Sequence, residues 1–303
     1  MILSMSDLSA FRRCKRLFAY TRLLHLRELG DGNKAAADGS AFHAELEAYG
    51  RERRGDAVNH YESTDDMFDV AMEYIKRVGA KDYDDMEILA IEDPLYMAIE
   101  PANPGLLAHA FGDRPVPKVF VRTTFDLVYK RRSSGTVTIR DYKTFEKAPS
   151  ADLSLDFQGR FYIATAMQYF QTPDVIMEYE QVRRTRPAPW SKWAEEDCYI
   201  RENLAISVDE AKYLWSEVQQ TVFDVLLKYA LDPTGASEAW YREDLKVGPH
   251  SCGSCFKRRI CTADLTHAID IRDDEGLSDF AVRDHHYRNE VPAWFAGKYD
   301  LLT

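Results

Sequence analysis

The chain has 303 residues, 45% hydrophobic and 29% charged, with a formal net charge of −11. That length buries a full core and suits one or two domains, while the acidic balance argues against nucleic-acid binding through overall charge. No apolar run approaches the roughly 20 residues of a membrane span, and the opening MILSMSDLSAF lacks the basic-then-apolar pattern of a secretory signal. A cytosolic protein in a reducing compartment is expected, where five cysteines suggest metal or redox chemistry more than disulfides.

Ser6 reads as the N-cap of a helix reaching about His25, with Leu8, Phe11, Phe18 and Leu24 on one apolar face and Cys14 inside it. A second helix is predicted from Lys34 to about Arg53, where Phe42, Leu46 and Tyr49 recur at helical spacing beside His43. Ser63 or Thr64 caps a third, to about Val78, with Asp65 and Asp66 in its first turn. Glu87 to Ile91 reads as a short strand closed by Glu92-Asp93-Pro94. Residues 101–117 read as a loop on their prolines and glycines.

Val119 to Tyr129 and Thr136 to Tyr142 read as the arms of a β-hairpin turned by Arg131 to Gly135. Pairing about Ser133-Ser134 sets Asp126 directly across from Asp141, with Cβ atoms roughly 4.5–5.5 Å apart. Lys143 shares that face, two residues further on. Moving the turn to Ser134-Gly135 sets Asp126 opposite Lys143 and still keeps all three together. Two carboxylates so close repel unless a cation or a proton lies between them. Beyond the hairpin, Leu153 to Phe170 reads as a helix, Asp174 to Arg183 and Cys198 to Arg201 as strands, and Val208 to Leu231 as a long amphipathic helix ended by Asp232-Pro233. The remainder reads as irregular. The element order fits a mixed α/β core.

Two constellations carry chemistry. Cys252, Cys255 and Cys261 form C-x2-C-x5-C, a metal pattern that needs a fourth ligand from Cys14, Cys198, His250 or His267. Spacing does not choose among these, nor between zinc and iron–sulfur. Asp126, Asp141 and Lys143 form D-x14-D-x-K. Carboxylates favour magnesium or manganese, which polarise phosphates, and a neighbouring lysine can orient water or meet developing negative charge. This set suits phosphodiester hydrolysis. Basic clusters stand out on the acidic chain at Arg12-Arg13, Lys15-Arg16, Lys130-Arg131-Arg132, Arg183-Arg184 and Lys257-Arg258-Arg259, so a local nucleic-acid track is compatible with the net charge.

These motifs, in this order, resemble the PD-(D/E)XK nuclease superfamily and its RecB-like branch with a cysteine-bound iron–sulfur cluster, which includes CRISPR-associated exonucleases and AddB-like helicase–nuclease subunits. SDLSAFRRCKRLFAY resembles the segment with the first cluster cysteine, Cys14, although Lys15 stands where proline is common. GSAFHAELE resembles the metal-binding histidine motif, His43. TTFDLVY supplies Asp126, and IRDYKT supplies Asp141 and Lys143 with the Tyr142 carbonyl as a further metal ligand. DFQGRFYIATAM resembles the Q-x3-Y helix, giving Gln158 and Tyr162. Glu92 is a candidate additional acid, with Glu87 or Glu100 as substitutes.

The resemblance implies a restriction-endonuclease-like α/β core, a central mixed sheet flanked by helices, with a 4Fe-4S cluster on Cys14, Cys252, Cys255 and Cys261 joining the N- and C-terminal segments and Cys198 spare. Residues 1–303 form one nuclease domain on this reading, with an N-terminal helix over 1–30, a helical cap over 31–115, a catalytic core over 116–205 and a C-terminal helix and cluster segment over 206–303. The implied activity is Mg2+- or Mn2+-dependent cleavage of DNA, as an exonuclease on single-stranded or open-ended substrate. His43, Asp126 and Asp141 hold the metal, Lys143 positions water, and Gln158 and Tyr162 orient the lysine or a phosphate. Arg12, Arg13, Arg16, Lys257, Arg258 and Arg259 are the candidates for phosphate contact. A subunit active only beside a recombination or helicase partner, and a non-catalytic iron–sulfur DNA-binding module, are the alternatives. The size suits a prokaryotic or phage recombination nuclease.

Overall fold

The computed structural model describes residues 1–28, 34–58, 66–146, 156–184, 198–234, 240, 252, 255, 260–261 and 281–283. In chain order the elements are β1 (Ile2–Ser4), α1 (Met5–Arg13), α2 (Lys15–Phe18), a π-helical turn (Ala19–Leu23), β2 (Leu26–Glu28), α3 (Lys34–Arg54), α4 (Asp66–Tyr74), a second π-helical turn (Ile75–Gly79), α5 (Ala80–Asp84), β3 (Met86–Ala90), β4 (Pro94–Ile99), α6 (Pro104–Phe111), β5 (Val119–Thr124), β6 (Leu127–Arg131), β7 (Val137–Phe145), α7 (Phe157–Phe170), β8 (Val175–Arg183), β9 (Tyr199–Leu204), α8 (Val208–Leu231) and β10 (Ala281–Arg283). The chain divides into two compact units, one built mainly from Met1–Asp31, Tyr96–Arg122 and Ser216–Lys298, the other from Gly32–Leu95 and Thr123–Trp215.

In the first unit the N-terminal helix is capped by Ser4, not Ser6. The Ser4 hydroxyl accepts the Asp7 N–H at 3.2 Å and the Asp7 carboxylate accepts the Ser4 N–H at 2.7 Å, a reciprocal capping box. The helix expected to run through to His25 stops at Cys14, whose backbone is extended. Arg22, in the π-helical turn, donates to the Ile2 carbonyl at 2.6 Å, which ties the turn back to β1. Residues 101–117, expected as loop, contain α6. Proline at its first turn gives up an N–H that would have no helical partner there, and Leu107 and Phe111, one turn apart, are both buried. β4 was also hidden behind Pro94, which is tolerated as the first residue of a strand. Among the described residues, β1, β5 and β4 form one sheet in that order, and β2 pairs antiparallel with β10.

The second unit holds a five-stranded sheet ordered β3-β6-β7-β8-β9. β7 and β8 run parallel over nine residue pairs, and the other neighbours are antiparallel, so the sheet is mixed. A parallel pair needs a crossover, and α7 supplies it. The β6–β7 hairpin has the register expected for a turn at Ser133-Ser134, with Leu127 against Arg140 and Val128 against Ile139. Its first arm, however, is not one strand. It breaks at Phe125-Asp126, where Phe125 is buried and its carbonyl accepts the Glu92 N–H at 2.9 Å. β5 therefore belongs to one sheet and β6 to another.

Side chains alternate along β7, so Arg140 and Tyr142 share one face while Asp141 and Lys143 share the other. Tyr142 is buried among Phe42 and Tyr74, with ring centroids 6.3 and 6.0 Å away. Arg140 is fully buried beside it and lies against Glu178, and it reaches Asp82 at 2.8 Å. Arg131 reaches Glu178 at 3.0 Å, and Arg201 reaches Glu180 and Asp82, so three arginines are matched by three carboxylates. Breaking a buried pair by removing one partner leaves an uncompensated charge. Arg140→Met is expected to lower the unfolding free energy by about 3 kcal/mol, read by urea denaturation, with a change under 1 kcal/mol counting against a structural role for the cluster.

Candidate active site

Four elements of the second unit bring the site together. α3 carries His43 next to the fully buried Phe42, so the packing that seats the helix also aims the imidazole. The bend before β6 carries Asp126, β7 carries Asp141 and Lys143, and the turn between β3 and β4 carries Glu92. The Asp126 carboxylate accepts the Tyr142 N–H at 2.7 Å. His43 Nε2 lies 2.7 Å from the Tyr142 carbonyl, and its Nδ1 lies 3.4 Å from Asp126 and 3.8 Å from Glu92. Among the described residues, the imidazole and these two carboxylates form the group whose ligand atoms lie within 4.8 Å of one another. Asp141 is buried and pairs with Lys143 Nζ at 2.8 Å, while Lys143 itself is half-exposed.

Charge is short of compensation here. Burial and then the Asp141 charge push the Asp126 carboxyl up to about 7, against the opposing pull of His43 and the Tyr142 N–H. Burial also raises Asp141, although Lys143 opposes it. Burial works against a charge on His43, but Glu92, Asp126, the Tyr142 carbonyl and Asp141 outweigh it and raise the imidazole. Lys143 is likewise penalised by burial and raised, on balance, by Asp141. One imidazole with buried and half-buried carboxylates is a donor set that fits Mg2+ or Mn2+.

α7 presents the remaining groups. Asp156 caps it, accepting the Gln158 and Gly159 N–H groups, each at 3.2 Å, and the Tyr179 hydroxyl at 2.6 Å. Tyr179 is the register partner of Asp141. Gly159 makes this possible, since a Cβ there would overlap the Tyr179 hydroxyl. Gln158 donates to the Tyr162 hydroxyl at 2.9 Å, and burial pushes that phenol up to about 12, so it stays protonated. Asp156 and Tyr179 were missed in the sequence. An aspartate just ahead of a helical run is an N-cap signal, which an expected helix start at Leu153 hides inside the helix.

The other expected residues are placed as follows. Arg12 and Arg13 are exposed, with Arg12 3.5 Å from Glu217. Arg16 departs from the expectation of a phosphate contact: it is buried, and it donates to the Tyr20 hydroxyl at 2.6 Å. Lys257, Arg258, Arg259, His250 and His267 lie outside the described residues. Glu87 faces solvent on β3 and Glu100 lies in the first unit, so of the three acids weighed only Glu92 joins the site. Among the described residues none of the five cysteines forms a disulfide. Cys14, Cys252, Cys255 and Cys261 fall in the first unit and Cys198 in the second. Among the described residues the thiols form no group within 4.8 Å of one another.

The model of the PD-(D/E)XK nuclease superfamily matches residues 2–262. The chain belongs to that superfamily. Solved structures similar to it include SSO0001, at 12% identity over 86% of both chains with a TM-score of 0.39. Another is a candidate exonuclease from Eubacterium rectale, at 13% identity over 88% of this chain and 94% of that one with a TM-score of 0.46. A search of curated proteins returns no match. No helix among the described residues is long and apolar enough to cross a membrane.

A metal ion bound here would have to displace protons from Asp126 and His43, both of which hold them more tightly than usual. Mn2+ affinity is therefore expected to rise as pH increases through about 7, as measured by calorimetry. Affinity flat between pH 5.5 and 8 would remove these groups from the site. Gly159→Ala is expected to cost about 1–3 kcal/mol by overpacking, and adding Tyr179→Phe should recover part of that loss in denaturation measurements.

Proposed function

We propose that this protein is a metal-dependent deoxyribonuclease that hydrolyses phosphodiester bonds, acting as an exonuclease on single-stranded or open-ended DNA. The observation that carries the reading is the convergence of His43, Asp126, Asp141 and Lys143 in one unit of a chain belonging to the PD-(D/E)XK superfamily. Mg2+ or Mn2+ would be held by His43, Asp126 and Asp141, with the Tyr142 carbonyl as a further ligand. The chemistry such a cation supplies when bound is polarisation of a phosphate oxygen and acidification of water.

The protein's own groups do the rest. Asp141 holds the Lys143 ammonium at 2.8 Å, leaving its remaining N–H bonds to orient water or meet negative charge growing on the phosphate. The raised lysine remains charged near neutrality, so it serves as a donor. Gln158 and Tyr162, hydrogen-bonded to each other, offer an amide and a neutral phenol for a phosphate oxygen or the lysine. Arg12 and Arg13 are the described candidates for backbone phosphates. The whole chain, 1–303, is read as one nuclease domain. A 4Fe-4S cluster on Cys14, Cys252, Cys255 and Cys261 rests on the sequence pattern and on their shared unit.

The test is anaerobically purified protein incubated with Mn2+ or Mg2+ and DNA labelled at one end or the other, single- and double-stranded, with iron measured on the same sample. Asp141→Ala and Lys143→Ala are each expected to reduce cleavage at least 100-fold, on the scale of lost electrostatic stabilisation, with folding retained. Wild-type protein that cuts nothing under either metal, on any of the four substrates, would defeat the reading.

A further inference from the structure

Past Asp141, the face of β7 that carries Lys143 continues toward the carboxyl ends of the parallel pair β7 and β8. Residues two apart along a strand share a face, and so do ladder partners on neighbouring strands. Lys143 therefore stands beside Gln181, and Phe145 beside Arg183. The Arg184 N–H donates to the Phe145 carbonyl at 2.9 Å, so the two strands stay joined to their ends. Phe145 is buried, and the Arg183 guanidinium carbon lies over its ring, 5.4 Å from the centroid. The ring thus holds the guanidinium on the same row as Lys143, a two-residue step of about 6.6 Å further along.

The two adjacent arginines at this end are used differently. Arg184 turns toward α3, where Asp38 lies at 3.5 Å, and Glu146 meets it at 2.8 Å. Arg183 turns the other way, onto the row that leads from Asp141. Beyond Asp141 that row is Lys143, Gln181, Phe145 and Arg183: two cations, a neutral amide and a ring, with no carboxylate among them. Stacking on a ring does not neutralise a guanidinium. It engages the face of the group, whereas a phosphate is bound by the edge, through paired N–H donors. Open sheets commonly take their ligands just outside the carboxyl ends of parallel strands.

We propose that Arg183, held on the Phe145 ring, binds the backbone phosphate next to the one being cleaved, so that the substrate strand crosses the carboxyl ends of β7 and β8. The inference deepens the nuclease reading and rests on it for the place of the scissile phosphate, beside Lys143. The step from Lys143 to the Phe145–Arg183 pair is comparable to the gap between neighbouring phosphates of an extended nucleic-acid strand. One strand can therefore meet both cations at once, Lys143 at the reacting phosphate and Arg183 at its neighbour.

The test uses the full chain and a single-stranded oligonucleotide. Binding is read in chelator, without cleavage, over a series of salt concentrations. Arg183→Gln is expected to weaken binding about tenfold and to flatten the dependence of log K on log salt by about 0.7, one single-strand phosphate contact. Arg183→Lys keeps the charge and is expected to keep the wild-type slope. Cleavage in Mn2+ is then compared on two substrates, one carrying an uncharged methylphosphonate at the phosphate next to the first one cut. Wild type is expected to lose about tenfold in kcat/KM on the modified strand, and Arg183→Gln to lose nothing further. A wild-type salt slope in Arg183→Gln, or an equal methylphosphonate penalty in both proteins, would overturn the assignment while leaving the nuclease reading intact. Wild-type protein that shows the slope difference yet cuts no DNA would defeat the nuclease reading and leave Arg183 as a phosphate contact.

Discussion

The backbone of Tyr142 is where the two halves of the site meet. β7 runs on to Phe145, but its ladder with β6 ends at Arg140 because β6 begins only at Leu127. A strand that outruns its neighbour leaves backbone donors and acceptors needing partners. Here the Tyr142 N–H goes to the Asp126 carboxylate and the Tyr142 carbonyl to His43, both at 2.7 Å. Two groups that would otherwise be a local cost of ending the ladder early become the fixtures for an acid and an imidazole. The Tyr142 ring, buried in the aromatic cluster with Phe42 and Tyr74, holds that backbone still.

The two faces of β7 treat charge in opposite ways. On one, Arg140 and its neighbours are balanced, arginine against carboxylate, in a closed set of ion pairs. On the other, Asp126, Asp141, Glu92 and Asp156 are gathered near one lysine and one histidine, and burial raises the carboxyls of Asp126 and Asp141, with the Asp141 charge adding to the rise at Asp126. A structure that needed only stability would have matched the second face like the first. Leaving it short of positive charge keeps a place for a cation, and the settled face supplies the rigidity with which the unsettled one is held.

Much of this is legible in the residues themselves, though unevenly. The hairpin register follows from turn chemistry and the two-residue period of a strand, and that alone brings Asp126, Asp141 and Lys143 together. α8, ended by Asp232-Pro233, and α3 were legible from apolar spacing. What escaped was non-local. The break at Phe125-Asp126 is invisible in a run of β-formers, because it depends on Glu92 arriving from another strand to take the Phe125 carbonyl. α6 hid among prolines whose position in the helix, not their number, decides what they do. Arg16 looked like part of a basic surface cluster until burial beside Tyr20 claimed it. Glu92 itself could not be told from Glu87 or Glu100, since all three are acids near strand ends, and only the fold selects one.

The close approach of Gly159 to Tyr179 has a mechanical consequence. A helix turns by 3.6 residues, so shifting α7 by one position along its axis would swing a different side chain toward the tyrosine. The neighbours on either side are Gln158 and Arg160, neither of which fits where only a hydrogen atom fits now. The glycine is therefore a keyway and the tyrosine its key, and α7 can seat on the sheet in one rotational setting. Gln158 and Tyr162 inherit their aim from that setting. A glycine in the first turn of α7 thereby indexes the side chains of Gln158 and Tyr162.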